Sequence, residues 1–217
     1  MLGGGINQGT VTLVEGSTST GKSALCQHFS YASLMDGMGV FYFASDYTTK
    51  TLRTSMAYLG MDVSAQLQSG KLGVNTLPKF TLEEDSSGVM SSLPKGISRL
   101  PRRCEVVIID AVTNLVLCDQ ESATLGLFYS LNLMCSEGKT VILSADSLSF
   151  KVNMLHQLDD LCDTHIALAN QKIGGILLKN LEVLKVNTKN LDNGNPLAFE
   201  LKKDLGMRKM HIERVKI

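Results

Sequence analysis

Residues Gly16-Ser17-Thr18-Ser19-Thr20-Gly21-Lys22-Ser23 read G-x-x-x-x-G-K-S, a spacing that can hold a phosphate chain. Gly16 and Gly21 let the backbone turn tightly and approach an anion, so that successive N–H groups converge on one point. Lys22 reaches from the same turn to the β- and γ-phosphates of a nucleotide, and the Ser23 hydroxyl is a ligand for Mg²⁺. An acid closes the most apolar run of the chain, Val106-Val107-Ile108-Ile109-Asp110. A carboxylate at such a strand end can hold the same Mg²⁺ through a water. Alone, an apolar run ending in Asp is better explained by a strand-end turn residue. With a phosphate loop upstream, the metal role is favoured.

Hydrolysis needs one further part, a carboxylate or amide that orients the attacking water. Ala111 follows Asp110, so no acid stands directly after it. The remaining candidate is Ala44-Ser45-Asp46-Tyr47. Asp46 is one methylene shorter than a Glu would be, and a displacement of about 1 Å can cost about a hundredfold in rate. Asp46 equally suits a cap for the helix that begins near Thr48. Ser144 and Asp146, at the end of a later strand, stand where a γ-phosphate sensor is usual.

The elements that must position these residues alternate along the first part of the chain. Thr10 to Glu15 is a β-branched, apolar run suited to a buried strand, and Ala24 to Ala32 reads as a helix. A helix N-terminus behind the glycine loop adds its dipole to the anion site. Val40 to Ala44 reads as the second strand. Thr48 to Leu59 is a helix with Leu52, Met56 and Leu59 on one face, capped by Gly60. Lys71 to Thr76 is a short strand, and the polar stretch Thr81 to Ser92 is expected to be a loop. Strand 106–110, helix 123–137, strand 140–144 and helix 151–161 follow. From His165 onward, apolar runs at 165–169, 176–186, 197–201 and 207–215 are separated by turn signals such as Asp192-Asn193-Gly194-Asn195, which predicts strands joined by hairpins. The expectation is an α/β fold in one domain spanning 1–217. It has a mostly parallel central sheet, helices on both faces and an antiparallel C-terminal β extension.

Composition narrows the function classes. The chain has 217 residues and zero formal net charge, which argues against a strongly basic nucleic-acid binder. Arg208, Lys209, Arg214 and Lys216 make the C-terminus locally basic. A charged edge strand that blocks aggregation is favoured there over an anion or partner surface. Five cysteines in no paired spacing fit reduced thiols of a cytosolic protein, and the four histidines form no metal motif. No stretch has the length and apolarity of a membrane span, and Met1-Leu2-Gly3-Gly4-Gly5 lacks the pattern of a signal peptide.

Leu2-Gly3-Gly4-Gly5-Ile6, Gly9-Thr10 and Val14-Glu15-Gly16 resemble the opening of the RecA/KaiC-type ATPases, and within them the FlaH family of archaellum accessory proteins. Ser45-Asp46-Tyr47-Thr48, Val107-Ile108-Ile109-Asp110, Gly138 to Leu143 and Leu181-Glu182-Val183-Leu184-Lys185 carry the likeness along essentially the whole chain. The resemblance implies a RecA-like P-loop fold, ATP and Mg²⁺ as ligands, and Asp110 as the Walker B acid. It also implies the motor ATPase FlaI and the platform protein FlaJ as partners, a hexameric ring as one assembly, and a cytoplasmic position at the membrane's inner face. Two departures bear on chemistry. The family carries paired glutamates after the second strand, the first acting on water; here the pair is Ser45-Asp46. The family's trans-acting Lys-x-Arg is here Lys185-Val186-Asn187, so Lys185 is kept and the arginine is not. An arginine finger is worth about 10³ or more in rate. The expectation is therefore nucleotide binding with little turnover, as a regulatory or scaffold protein of the archaellum motor. The alternatives are an active KaiC-like ring with Asp46 as base and Lys185 acting in trans, and a RecA/RadA-type recombinase. The apolar and acidic stretch 111–121 disfavours DNA.

Overall fold

The computed structural model describes residues 5–77, 87–112, 121–173, 176–187 and 196–210. Among them, β1 (Val11–Gly16), α1 (Lys22–Met35), β2 (Gly39–Ala44), α2 (Thr49–Tyr58) and, after a short helix α3 (Ser64–Gln68) not expected from the sequence, β3 (Leu72–Thr76) follow the predicted alternation. α4 (Ser87–Ser98), β4 (Cys104–Asp110), α5 (Glu121–Ser136), β5 (Thr140–Asp146), a 3₁₀ turn (Ser147–Ser149) and α6 (Val152–Leu161) follow. The chain then changes to β6 (Thr164–Ile173), β7 (Ile176–Val186), β8 (Leu197–Lys202) and β9 (Gly206–Lys209).

The described strands form one sheet in the order β3-β2-β4-β5-β1-β6-β7-β8-β9. From β3 to β6 neighbours run parallel, and from β6 to β9 antiparallel. Strands buried on both faces read as continuous apolar runs, and β4 shows why. Val107 and Ile109 pack with α4, α5 and α6 in one layer, while Val106 and Ile108 pack with α1 and α2 in the other. Parallel register brings Gly16 level with Asp146, Val14 with Ser144, and Ala44 with Asp110. Gly16, Asp110, Ser144 and Asp146 thus emerge along one carboxyl edge, where ligands of open α/β sheets bind.

The polar stretch expected as a loop from Thr81 to Ser92 is corrected in its second part. Residues from Ser87 onward form α4, despite Pro94 inside it, because Leu93 and Ile97 are buried one turn apart against the α5 layer. Thr81 to Ser86 lie outside the described residues. So does most of the 111–121 stretch weighed for DNA. Arg208 and Lys209 stand exposed on β9, the last strand of the sheet, whereas Arg214 and Lys216 are outside the described residues. Cys26, Cys104, Cys135 and Cys162 are free and buried, and burial pushes the Cys135 thiol up to about 12. No described helix is long and apolar enough to cross a membrane.

Candidate nucleotide site

The loop from β1 to α1 is shaped by contacts that leave no room for side chains. A Cβ on Gly16 would come within 2.3 Å of the Leu168 carbonyl oxygen and 2.8 Å of Thr20 Oγ1. Gly21, at φ 108°, is the N-cap of α1, a left-handed conformation that glycine adopts without steric penalty. Ser19 between them is also left-handed, at φ 65°. Such residues turn successive N–H groups into a concave anion site, to which α1 adds its N-terminal dipole.

Lys22 folds back over its own loop. Its Nζ donates to the carbonyls of Gly16 at 2.6 Å and Ser17 at 2.8 Å, and lies 4.0 Å from Asp146 Oδ2. Burial lowers the Lys22 pKa, against the opposing pull of Asp146 and Asp110. Asp146 also accepts from Thr18 Oγ1 at 3.2 Å and from the Leu148 N–H at 3.0 Å.

Asp110 is 2 % exposed and ringed by hydroxyls. Its Oδ1 accepts from Ser144 Oγ at 2.7 Å and Ser23 Oγ at 3.1 Å; its Oδ2 accepts from Tyr42 at 2.8 Å. Burial pushes its pKa up, against the lowering effect of these hydrogen bonds. Ser144 Oγ also accepts from the Ala111 N–H at 2.8 Å, so it fixes the turn after β4 as well as the acid. A buried carboxylate beside a serine hydroxyl is an all-oxygen donor pair that suits Mg²⁺, a hard cation that keeps several of its waters. Ser23 and Asp110 are the residues that would hold it, and the ion would neutralise phosphate charge.

The other sequence candidates are placed differently. Ser45 is buried, with its hydroxyl on the Ala111 carbonyl at 2.9 Å, while the next residue, Asp46, is exposed. The cap of α2 is Thr48, whose Oγ1 accepts from the Thr51 N–H at 3.3 Å while Thr51 Oγ1 accepts from the Thr48 N–H at 2.8 Å. Lys185 pairs across β6 and β7 with His165, toward the amino end of β1 rather than its phosphate loop. Its ammonium donates to the carbonyls of Asp159 and Asp160 at the end of α6.

A family model described as ATPase: KaiC matches residues 1–207. The chain belongs to the KaiC-type ATPase family. Archaeal flagellar ATP-binding protein FlaH of Sulfolobus acidocaldarius is 22% identical over 206 residues, covering 94% of this chain and 90% of that protein. FlaH of Methanocaldococcus jannaschii is 32% identical over 119 residues, 54% of this chain and 50% of that protein. The crystal structure of flagellar accessory protein FlaH from M. jannaschii superposes with a TM-score of 0.82 at 22% identity, covering 97% of this chain and 93% of that one. A KaiC-like protein of Pyrococcus horikoshii, PH0186, gives 0.74 at 19% identity, covering 96% and 92%. These likenesses establish a RecA/KaiC-type fold.

In this KaiC-type site, sequence reasoning missed three residues. Tyr42 carries the one hydroxyl of the apolar β2 run, a signal that does not by itself point to Asp110. Tyr47 lines a cleft of about 380 Å³ with Lys22, Ser23, Gln27, Tyr58 and Leu201. Lys179 donates to the Ser19 carbonyl from β7, a contact that no local pattern announces.

Proposed function

We propose that this protein is an ATP-gated regulatory subunit, which binds Mg-ATP in the Gly16–Ser23 loop and turns it over slowly or not at all. The observation that carries the reading is the division between the binding parts and the hydrolytic parts. Lys22, Ser23 and Asp110 lie together behind the phosphate loop. Ser45, at the place of the family's water-activating acid, is a buried hydroxyl occupied by a backbone carbonyl. Lys185 is engaged on its own α6.

The likeness to FlaH, named an archaeal flagellar ATP-binding protein, extends the proposal to the archaellum. Occupancy would bias the chain between states that grip a motor ATPase of FlaI type and a platform of FlaJ type. ATP favours whichever state binds it more tightly. The protein would work in the cytoplasm at the membrane's inner face, held there by partners, without a nucleic-acid ligand. The competing reading is an active KaiC-like ring with Asp46 as base and Lys185 in trans. It draws support from Asp46 standing after β2 and raising the Asp110 pKa by its charge.

Equilibrium binding of Mg-ATP to the wild type, Lys22→Ala and Asp110→Asn tests the proposal, with steady-state hydrolysis alongside. Expected are tight binding lost in Lys22→Ala, loss of the Mg²⁺-dependent part in Asp110→Asn, and hydrolysis near background. Turnover of roughly 1 s⁻¹ or faster would sink the regulatory reading in favour of the ring.

A further inference from the structure

The C-terminal β extension touches the phosphate loop at each of its unusual backbone positions. The carbonyl of Leu168 on β6 packs on Gly16, and the Phe199 ring on β8 lies 3.4 Å from where a Gly21 Cβ would stand. Between them Lys179, on β7, donates from Nζ to the carbonyl of Ser19 and to Asn170 Oδ1 at 3.3 Å. Burial lowers the Lys179 pKa.

Ser19 is the loop residue with a side chain at positive φ. Such a conformation is strained in a non-glycine residue and persists where its surroundings hold it. A trans peptide unit points its C=O and N–H in opposite directions. An ammonium that draws the Ser19 oxygen to the outside of the loop therefore turns the Thr20 N–H to the inside. That N–H now rests on the Ser17 carbonyl at 3.4 Å, a long and weak contact that an anion can displace.

We infer that Lys179 is a positioning residue of the nucleotide site, which sets the Ser19–Thr20 peptide for phosphate and ties β7 to occupancy of the loop. The inference rests on the nucleotide-binding reading above. Phosphate drawn into the loop pulls on the Thr20 N–H and, through the same rigid peptide, tightens the Ser19 oxygen on Lys179. A tight loop and an anchored β7 are thus one state.

The test compares wild type, Lys179→Met and Lys179→Arg with a fluorescent N-methylanthraniloyl ATP plus Mg²⁺ as the probe. Hydrogen exchange of β7 and β8 is followed with and without unlabelled ATP. Losing a charged hydrogen bond predicts that Lys179→Met raises Kd about tenfold or more. Exchange protection of β7 and β8 by ATP is lost with it, and Lys179→Arg restores both. A merely structural lysine would change exchange in the empty protein and leave the ATP-dependent difference intact. Equal Kd and equal ATP-dependent protection in wild type and Lys179→Met would overturn the inference alone. A wild type that binds no nucleotide would overturn the nucleotide reading with it.

Discussion

At the scale of single residues the site is an arrangement of tight clearances. Gly16→Ala must displace the Leu168 carbonyl or Thr20, both under 3 Å from the added Cβ. It should lower stability by about 1–3 kcal/mol, read as a lower denaturation midpoint at unchanged slope. A second residue-scale effect lies away from the loop. His165 is 4 % exposed, with Nδ1 2.8 Å from Asp159 Oδ1 and Nε2 3.5 Å from Glu15 Oε1. Burial opposes its charge, and the two carboxylates outweigh burial, so its pKa is raised above the ordinary 6.5. The folded state then holds the proton more tightly than the unfolded chain. This contribution is complete below about pH 6.5 and lost as pH rises through the folded value. Thermal midpoints should fall over that interval in the wild type, and the fall should flatten in His165→Asn. The residues proposed to bind nucleotide were legible in sequence because Gly16, Lys22 and Ser23 lie within a few residues of one another. Tyr42 and Lys179 were not, because their contacts span 68 and 160 residues and exist only once the strands pair.

At the scale of elements, the parallel strands were readable because burial on both faces leaves uninterrupted apolar runs, as in Val106–Ile109. Helix α4 was not, since its glycines and Pro94 suppress helical propensity. Its formation is decided by the burial of Leu93 and Ile97, a tertiary effect. β6 runs on to Ile173 through polar Asn170, Gln171 and Lys172 because β7 pairs with it throughout. The C-terminal strands are more than a border to the sheet. Phe199 is 1 % exposed and abuts Gly21, and the Met207 N–H donates to His28 Nε2 on α1 at 2.9 Å. Phe199→Ala should cost about 3–5 kcal/mol and also weaken nucleotide binding. Leu131→Ala, equally buried in the opposite layer, should cost about 2–5 kcal/mol and leave affinity unchanged. Chemical denaturation and ligand titration of the two variants distinguish a cradle for the loop from general packing.

At the scale of the whole molecule, the carboxyl edge gathers the residues proposed to hold a nucleotide, while Lys185 lies toward the amino end of β1 with its ammonium capping α6. A cation on the last carbonyls of a helix contributes about 0.3–1 kcal/mol. Lys185→Ala should therefore lower stability modestly and leave turnover at its basal level. A fall in turnover that grows with protein concentration would mean that Lys185 acts on a neighbouring copy. The central claim, that nucleotide is held rather than spent, is tested most directly by single-turnover hydrolysis of Mg-ATP with excess protein, beside a Lys22→Ala control. The account predicts that ATP stays bound and intact at close to its spontaneous rate, and that the control fails to retain it. Conversion of bound ATP to ADP within about a second would contradict it and give the hydrolytic role to Asp46 in an active ring.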